Sequence, residues 1–175
     1  MATPKNAGCP RNNEKFKQMY LYVLSNFENG VTNIKLAKLL YLSDFGYFYD
    51  NLKSISGVNY LRLDYGPVPD VFSSLTKDLQ LEEVIKVTER PLRNDRKSQI
   101  VKSIVGKQPS NLLSRNEKNH IDKVCALWMK KRTNDIVRFT HRQKPWKTCL
   151  PGREIPYYTI IQEDPQHVYT PIAKR

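Results

Sequence analysis

Glycine, cysteine and the short motifs of the common enzymes are what this sequence has little of. Its 175 residues hold seven glycines, and neither GxGxxG nor GxxxxGK[ST] occurs, so a loop that cradles nucleotide phosphates has no candidate. HExxH and GxSxG are missing too, which removes the familiar zinc-peptidase and serine-hydrolase arrangements. The cysteines Cys9, Cys125 and Cys149 are odd in number and widely spaced, forming neither a CxxC pair nor a disulfide framework, so reduced thiols are expected. His120 and Cys125 stand five residues apart, about 140° around a helix, and cannot reach one metal ion from the same face. Neither a metal nor a cofactor is expected. There is no run of about 18 apolar residues, and the opening MATPKNAGCPRNNEK is polar throughout. The expectation is therefore a cytoplasmic protein with no membrane contact.

What is present is the composition of an ordinary soluble globular protein, 39% hydrophobic and 26% charged. A chain of this length can bury about 70% of its unfolded surface in one core. We therefore expect a single domain over residues 1–175, with 1–11 and 165–175 as flexible ends. Charge is strongly uneven. The net +12 arises in residues 86–153, which hold 18 Lys and Arg against 5 Asp and Glu, while the remainder is nearly neutral. That asymmetry suggests an acidic partner, either nucleic acid or an acidic protein surface.

The chain is organised around Val31 to Pro69. At about 100° per residue, Leu36, Leu39, Leu40 and Tyr47 share one side of a helix, Ala37, Tyr41 and Phe48 widen it, and Leu42 and Phe45 lie opposite. A helix apolar nearly all round is buried among other elements. Asp44 falls inside the apolar arc, where an unpartnered carboxylate would cost several kcal/mol. Its readings are a structural salt bridge, a carboxylate accepting backbone N–H groups, or a functional acid.

Before this block, Phe16, Met19, Tyr20, Val23, Leu24 and Phe27 follow a helical stripe over Asn12 to Phe27. Thr32 is a plausible N-cap of the central helix, with Val31 as a hydrophobic staple on Leu36. After it, Val58 to Tyr65 alternates as a short strand, and Tyr65-Gly66-Pro67-Val68-Pro69 reads as a turn that places Pro69 in the first turn of the next helix. Val84 to Thr88 and Gln99 to Val105 read as a hairpin joined by a long basic loop. Ser114 to Glu117 matches a capping box, opening a helix that runs into Lys130-Lys131-Arg132, cations suited to its C-terminal dipole. Thr133 or Asn134 can cap a short helix through Thr140, and the stretch from Pro151 to Pro171 reads as irregular. The fold class is α+β, a mostly α-helical domain with a central buried helix and a small antiparallel sheet or hairpin.

For chemistry, His141 with Cys149, or His141 with Asp44, could form a nucleophile or acid–base pair only if the fold joined them. A histidine hydrogen-bonded for stability is the simpler reading, and no enzyme activity is expected. Arg90, Arg93, Arg96 and Lys97 in the hairpin loop, with Lys130, Lys131, Arg132, Arg138 and Arg142, form a candidate basic surface for phosphates or for a protein interface. A solvated basic face that keeps the protein soluble is the plainer alternative.

The runs NIKLAKLLYLSDFGYFYD and SISGVNYLRLDYGPVP, followed downstream by LLSRNEKNHIDKV, FTH and PW, resemble the Panacea domain family, which includes the SocA-like antitoxins and the phage-associated proteins grouped with them. The resemblance covers roughly Lys15 to Tyr158, with KLLYLSD and YGPVP its most specific parts. Lys38, Leu40, Tyr41, Asp44, Tyr65, Gly66, Pro67, Pro69, His141 and Trp146 match its motif positions. It implies the antitoxin of a type II toxin–antitoxin pair that neutralises a cognate protein toxin by direct binding, with some members delivering the toxin to a ClpXP-type protease. On this reading the Val31 to Pro69 block is scaffold, Asp44 is a partnered structural charge, and the partner surface lies on the basic second half. A nucleic-acid-binding regulator using that basic half is the alternative.

Overall fold

The computed structural model describes residues 13–93, 96–106, 108 and 110–170. Cys9, Asn12 and the ends expected to be flexible at 1–11 and 171–175 lie outside the described residues. The elements in chain order are α1 (Asn13–Ser25), β1 (Val31–Thr32), α2 (Asn33–Asn51), β2 (Tyr60–Leu63), β3 (Gly66–Pro69), α3 (Phe72–Leu81), β4 (Ile85–Pro91), β5 (Lys97–Ser103), α4 (Arg115–Trp128), α5 (Thr133–Arg142) and α6 (Lys144–Thr148). The fold is α+β. Among the described residues no helix is long and apolar enough to cross a membrane.

Helix α2 is the axis. Every residue from Lys35 to Tyr47 is buried, so the helix is enclosed on all sides, as its apolar circumference requires. Thr32 caps it, its Oγ1 accepting from Lys35 N at 3.2 Å. Around it pack α1, through Phe16, Met19, Tyr20, Val23 and Leu24, and α4, through Ile121, Val124, Cys125 and Trp128. The Ser114 to Glu117 capping box forms at the start of α4.

Three strands make an antiparallel sheet in the order β1-β5-β4. β1 is only two residues long, with Val31 opposite Val101 and Thr32 opposite Ile100. Val31 is thus a strand residue that ties the entrance of α2 to the sheet, a pairing too short to show as alternation. The β4–β5 hairpin runs from the pair Ile85–Ser103 to the pair Pro91–Lys97, further into the charged stretch than its Val and Ile content suggests. Its distal half, from Thr88 to Arg93 and from Arg96 to Lys97, is exposed and projects as a basic arm.

The YGPVP segment corrects the expectation of a corner. Gly66–Pro69 is a strand that pairs with β2 in the register Tyr60–Pro69, Leu61–Val68, Arg62–Pro67 and Leu63–Gly66, and α3 starts only at Phe72. Asp70 N donates to Asn59 O, which fixes the alternation: even-numbered residues turn their polar groups to β2, while Pro67 and Pro69 face the free edge. An edge position needs no N–H, so both prolines are tolerated there.

Two further corrections concern the second half. The carbonyls that follow α4 take hydrogen bonds from Lys35 of α2, whose Nζ donates to Met129 O and Lys131 O. Helix α5 is capped at Arg132, with the Asp135 carboxylate accepting from Arg132 N, while Thr133 Oγ1 pairs with Thr32 Oγ1 at 2.8 Å. The stretch after Pro151 holds 3-10 turns at Tyr157–Gln162 and Pro165–His167. Residues 165–170, expected to be flexible, pack on the core: Val168 is buried, Trp128 Nε1 donates to Tyr169 O, and Tyr169 OH donates to Gly46 O.

Asp44 knots α2 to the segment that follows it. Its Oδ1 accepts from Ile55 N and Ser56 N, each at 2.9 Å, and its Oδ2 accepts from Ser56 Oγ and from Tyr60 OH at 2.8 Å. This is the reading of a carboxylate that accepts backbone N–H groups; no cation is among these partners. Burial pushes the carboxyl above its usual range and the four donors pull the other way. We expect Asp44→Ala to cost about 3–5 kcal/mol, because it strands two buried amide donors. Asp44→Asn keeps one acceptor for them and lets Ser56 and Tyr60 turn round, so it should cost less than half as much. Urea unfolding of both variants checks the ranking, and equal losses would refute this role.

Candidate functional site: the cluster beneath the β2–β3 hairpin

The ten motif positions divide by depth. Leu40 and Tyr41 are core residues, with Tyr41 packed on Phe45 and Tyr60, and Pro69 is buried in β3. Tyr65 sits exposed at the hairpin turn. The others that concern us, Lys38, Gly66, Pro67, His141 and Trp146, come from three distant parts of the chain and meet at one place.

Lys38 is only 1% exposed, and its Nζ donates to Pro67 O at 2.8 Å, the carbonyl that faces the free edge of β3. The hairpin closes tightly over it. Gly66 has φ +97, and a Cβ there would come within 2.7 Å of Lys38 Cε and 3.0 Å of Thr140 Oγ1, with His141 Cδ2 at 3.3 Å. Only glycine meets both the backbone conformation and the space. His141 stacks on Trp146, ring centroids 4.1 Å apart and planes within 10°. The Arg62 guanidinium also lies over the Trp146 ring at 4.1 Å, and its Nη1 donates to Cys149 O at 2.7 Å. Trp146 Nε1 completes the link by donating to Leu63 O at 3.2 Å.

Three basic groups therefore crowd together. Burial pushes the Lys38 ammonium down to about 7. Burial, then the charges of Lys38 and Arg62, lower the His141 imidazole, whose buried Nε2 has no hydrogen-bond partner among the described residues. A lysine enclosed this completely offers no solute its amine unless the hairpin lifts. The acid–base pairs considered from sequence are not brought together. His141 is engaged with Trp146, Asp44 is saturated by its four donors, and Cys149 Sγ points to the carbonyls of Leu150, Arg153 and Glu154.

The basic residues lie elsewhere. Arg90, Arg93, Arg96 and Lys97 line the projecting arm, where Lys97 pairs with Glu89. Lys130, Lys131 and Arg132 form the exposed corner between α4 and α5, and Lys131 Nζ lies over Trp128. Arg138 and Arg142 continue along α5, with Asp135 paired to both Arg132 and Arg138. Thr133 meets Thr32, which pairs with Ile100, so the corner adjoins the root of the arm. Arg62 is the cluster residue that sequence reading missed: in the sequence it reads as the polar alternate between Leu61 and Leu63, and its partner Trp146 is far along the chain.

A family model described as antitoxin SocA-like, Panacea domain, matches residues 36–147. The chain belongs to this family. The matched span is shorter at both ends than the resemblance read from the motifs, but it contains all ten motif positions. No curated protein and no solved structure matches the chain. Within this Panacea domain, the motif residues that looked like candidates for chemistry hold the hairpin onto α2 and α5.

Two outcomes follow from the cluster. Gly66→Ala should destabilise the fold by about 2–4 kcal/mol, from a strained φ and the collision with Lys38, readable as a lowered urea midpoint. Lys38 gives a pH signature. Its folded value of about 7 lies below the ordinary 10.5, so between these limits the unfolded chain binds the extra proton and stability rises with pH. Relative to Lys38→Met, the wild type should gain about 1.4 kcal/mol per pH unit between pH 7.5 and 9.5. Parallel stability curves for the two proteins would show that Lys38 is not buried in this way.

Proposed function

We propose that the chain is the antitoxin of a type II toxin–antitoxin pair and neutralises a cognate protein toxin by direct binding in the cytoplasm. Family membership carries this reading. It is supported by the way the motif groups are used: Lys38, Asp44 and His141 are committed to internal partners or stacking, and binding requires only a rigid scaffold with exposed anchors. On the same reading the protein acts without catalysis. Delivery of the bound toxin to a ClpXP-type protease is a second step that the same complex would allow. The projecting basic arm is the observation that favours a nucleic-acid partner as an alternative.

The test is co-expression with the product of the adjacent reading frame. We expect that product to arrest growth alone, growth to recover when both are made, and the two proteins to co-purify after nuclease treatment. Normal growth with the neighbour alone would sink the proposal. A complex lost on nuclease treatment would move the function to the nucleic-acid reading.

A further inference from the structure

The outer edges of the strands are closed in different ways. β2 is bound along its outer edge to residues 152–155: Arg62 N donates to Arg153 O, Gly152 N to Arg62 O and Ile155 N to Tyr60 O. The free edge of β3 carries Pro67 and Pro69, which have no N–H, and Lys38 Nζ takes Pro67 O. In the three-stranded sheet β4 is terminal. Leu92 N donates to Arg96 O and Ile104 N to Val84 O, so the even-numbered residues of β4 face β5 and the odd-numbered ones face outward. Ile85 is buried at the α3 end of this row. Beyond it, Val87 and Glu89 each present N–H and C=O and Pro91 presents C=O, with no backbone partner among the described residues. The other side of the hairpin is different. There the residue opposite Gln99 is Asn33, where the chain already turns into α2 and its Nδ2 donates to Gln99 Oε1, so a strand has no room at Gln99.

An open row of alternating donors and acceptors is completed by another backbone, and an extended peptide laid alongside supplies one. Nucleic-acid phosphates only accept hydrogen bonds, so they would leave the Val87, Glu89 and Pro91 carbonyls unmet. Side chains then select the strand. Lys86, Thr88 and Arg90 are exposed on one face of β4, paired with Lys102, Ile100 and Ser98 of β5, so that face holds three cations and no carboxylate among its pairs. On the other face Glu89 is bound by Lys97 at 2.7 Å. The remaining acids lie off the row. Glu82 pairs with Lys17, Glu83 precedes the buried Ile85, and Asp95, outside the described residues, stands in the sequence between Arg93 and Arg96. Opposite charges directly across a strand pair attract and like charges repel. A segment with carboxylates opposite Lys86 and Arg90 therefore fits, whereas a second copy does not, since β4 against β4 would merge two such cationic faces. We infer that the toxin docks on the Val87–Pro91 edge of β4, adding an extended acidic segment as the fourth strand of the sheet. This rests on the antitoxin reading.

The test titrates the full chain with the purified, nuclease-treated product of the adjacent reading frame by calorimetry. Glu89→Pro and Glu89→Ala both remove the carboxylate, but only Glu89→Pro removes the outward N–H, so the difference between them reads the backbone. Glu89→Pro should bind at least tenfold more weakly than Glu89→Ala, and Lys86→Glu/Arg90→Glu at least tenfold more weakly than the wild type. Circular dichroism checks that all three are folded. Amide exchange by NMR needs no variant: Thr88 and Arg90 should be protected in the free chain, while Val87 and Glu89 should slow tenfold or more only when the product binds. A complex that leaves the Val87 and Glu89 amides exchanging as in the free chain, or that forms as tightly with Glu89→Pro as with Glu89→Ala, overturns the edge and leaves the antitoxin role standing. Absence of any wild-type complex overturns the antitoxin reading itself, and with it the assignment of a toxin strand to β4.

Discussion

Helix α2 carries two lysines and an aspartate into an interior that surrounds it on every side, and each of these charges must be met by another part of the chain. A buried charge left alone costs several kcal/mol, so each one dictates where a neighbouring element lies. Lys35 reaches the end of α4 through Met129 O and Lys131 O. Lys38, one turn further along, takes Pro67 O and draws the β2–β3 hairpin down. Asp44 gathers the 55–56 turn and Tyr60. The hydrophobic effect drives the collapse, but apolar packing alone tolerates sliding and rotation. The three charges specify register.

This explains which parts of the fold could be read from sequence. The α1 stripe, the apolar circumference of α2 and the Ser114 capping box are local patterns, and their periodicities translate directly into burial. Asp44 stood out because a carboxylate in an apolar arc demands donors, although the donors themselves, eleven and twelve residues later, carried no mark. Nothing local in the sequence marks Lys35 and Lys38 as buried, since no pattern says that a lysine's solvent has been replaced by carbonyl groups. Pro67 and Pro69 suggested a corner, because the rule that proline ends regular structure yields only where the residue faces a free edge, and edges are a property of the assembled sheet. The packing of Tyr169 against Trp128 and α2 follows no period at all.

The same physics bears on what the family motif means. KLLYLSD and YGPVP meet in one contact, the Lys38 amine beneath the Gly66-Pro67 backbone, and the Thr-His and Trp positions line the other side of it. A set of residues that satisfy one another internally is a specification of scaffold. It constrains the interior and leaves the outer surface free to vary.

The limits of the scaffold can be traced through the same kind of contact. Arg62 and Trp146 lie within the matched residues 36–147, where the guanidinium lies over the indole and the indole N–H holds Leu63 O. Leu150, Arg153 and Tyr158 lie beyond the match. Their positions are nonetheless fixed by the scaffold, through the backbone bonds between β2 and residues 152–155 and through the hold of Arg62 on Cys149 O. The scaffold set by the buried charges of α2 thus extends through β2 to residues that lie outside the family match.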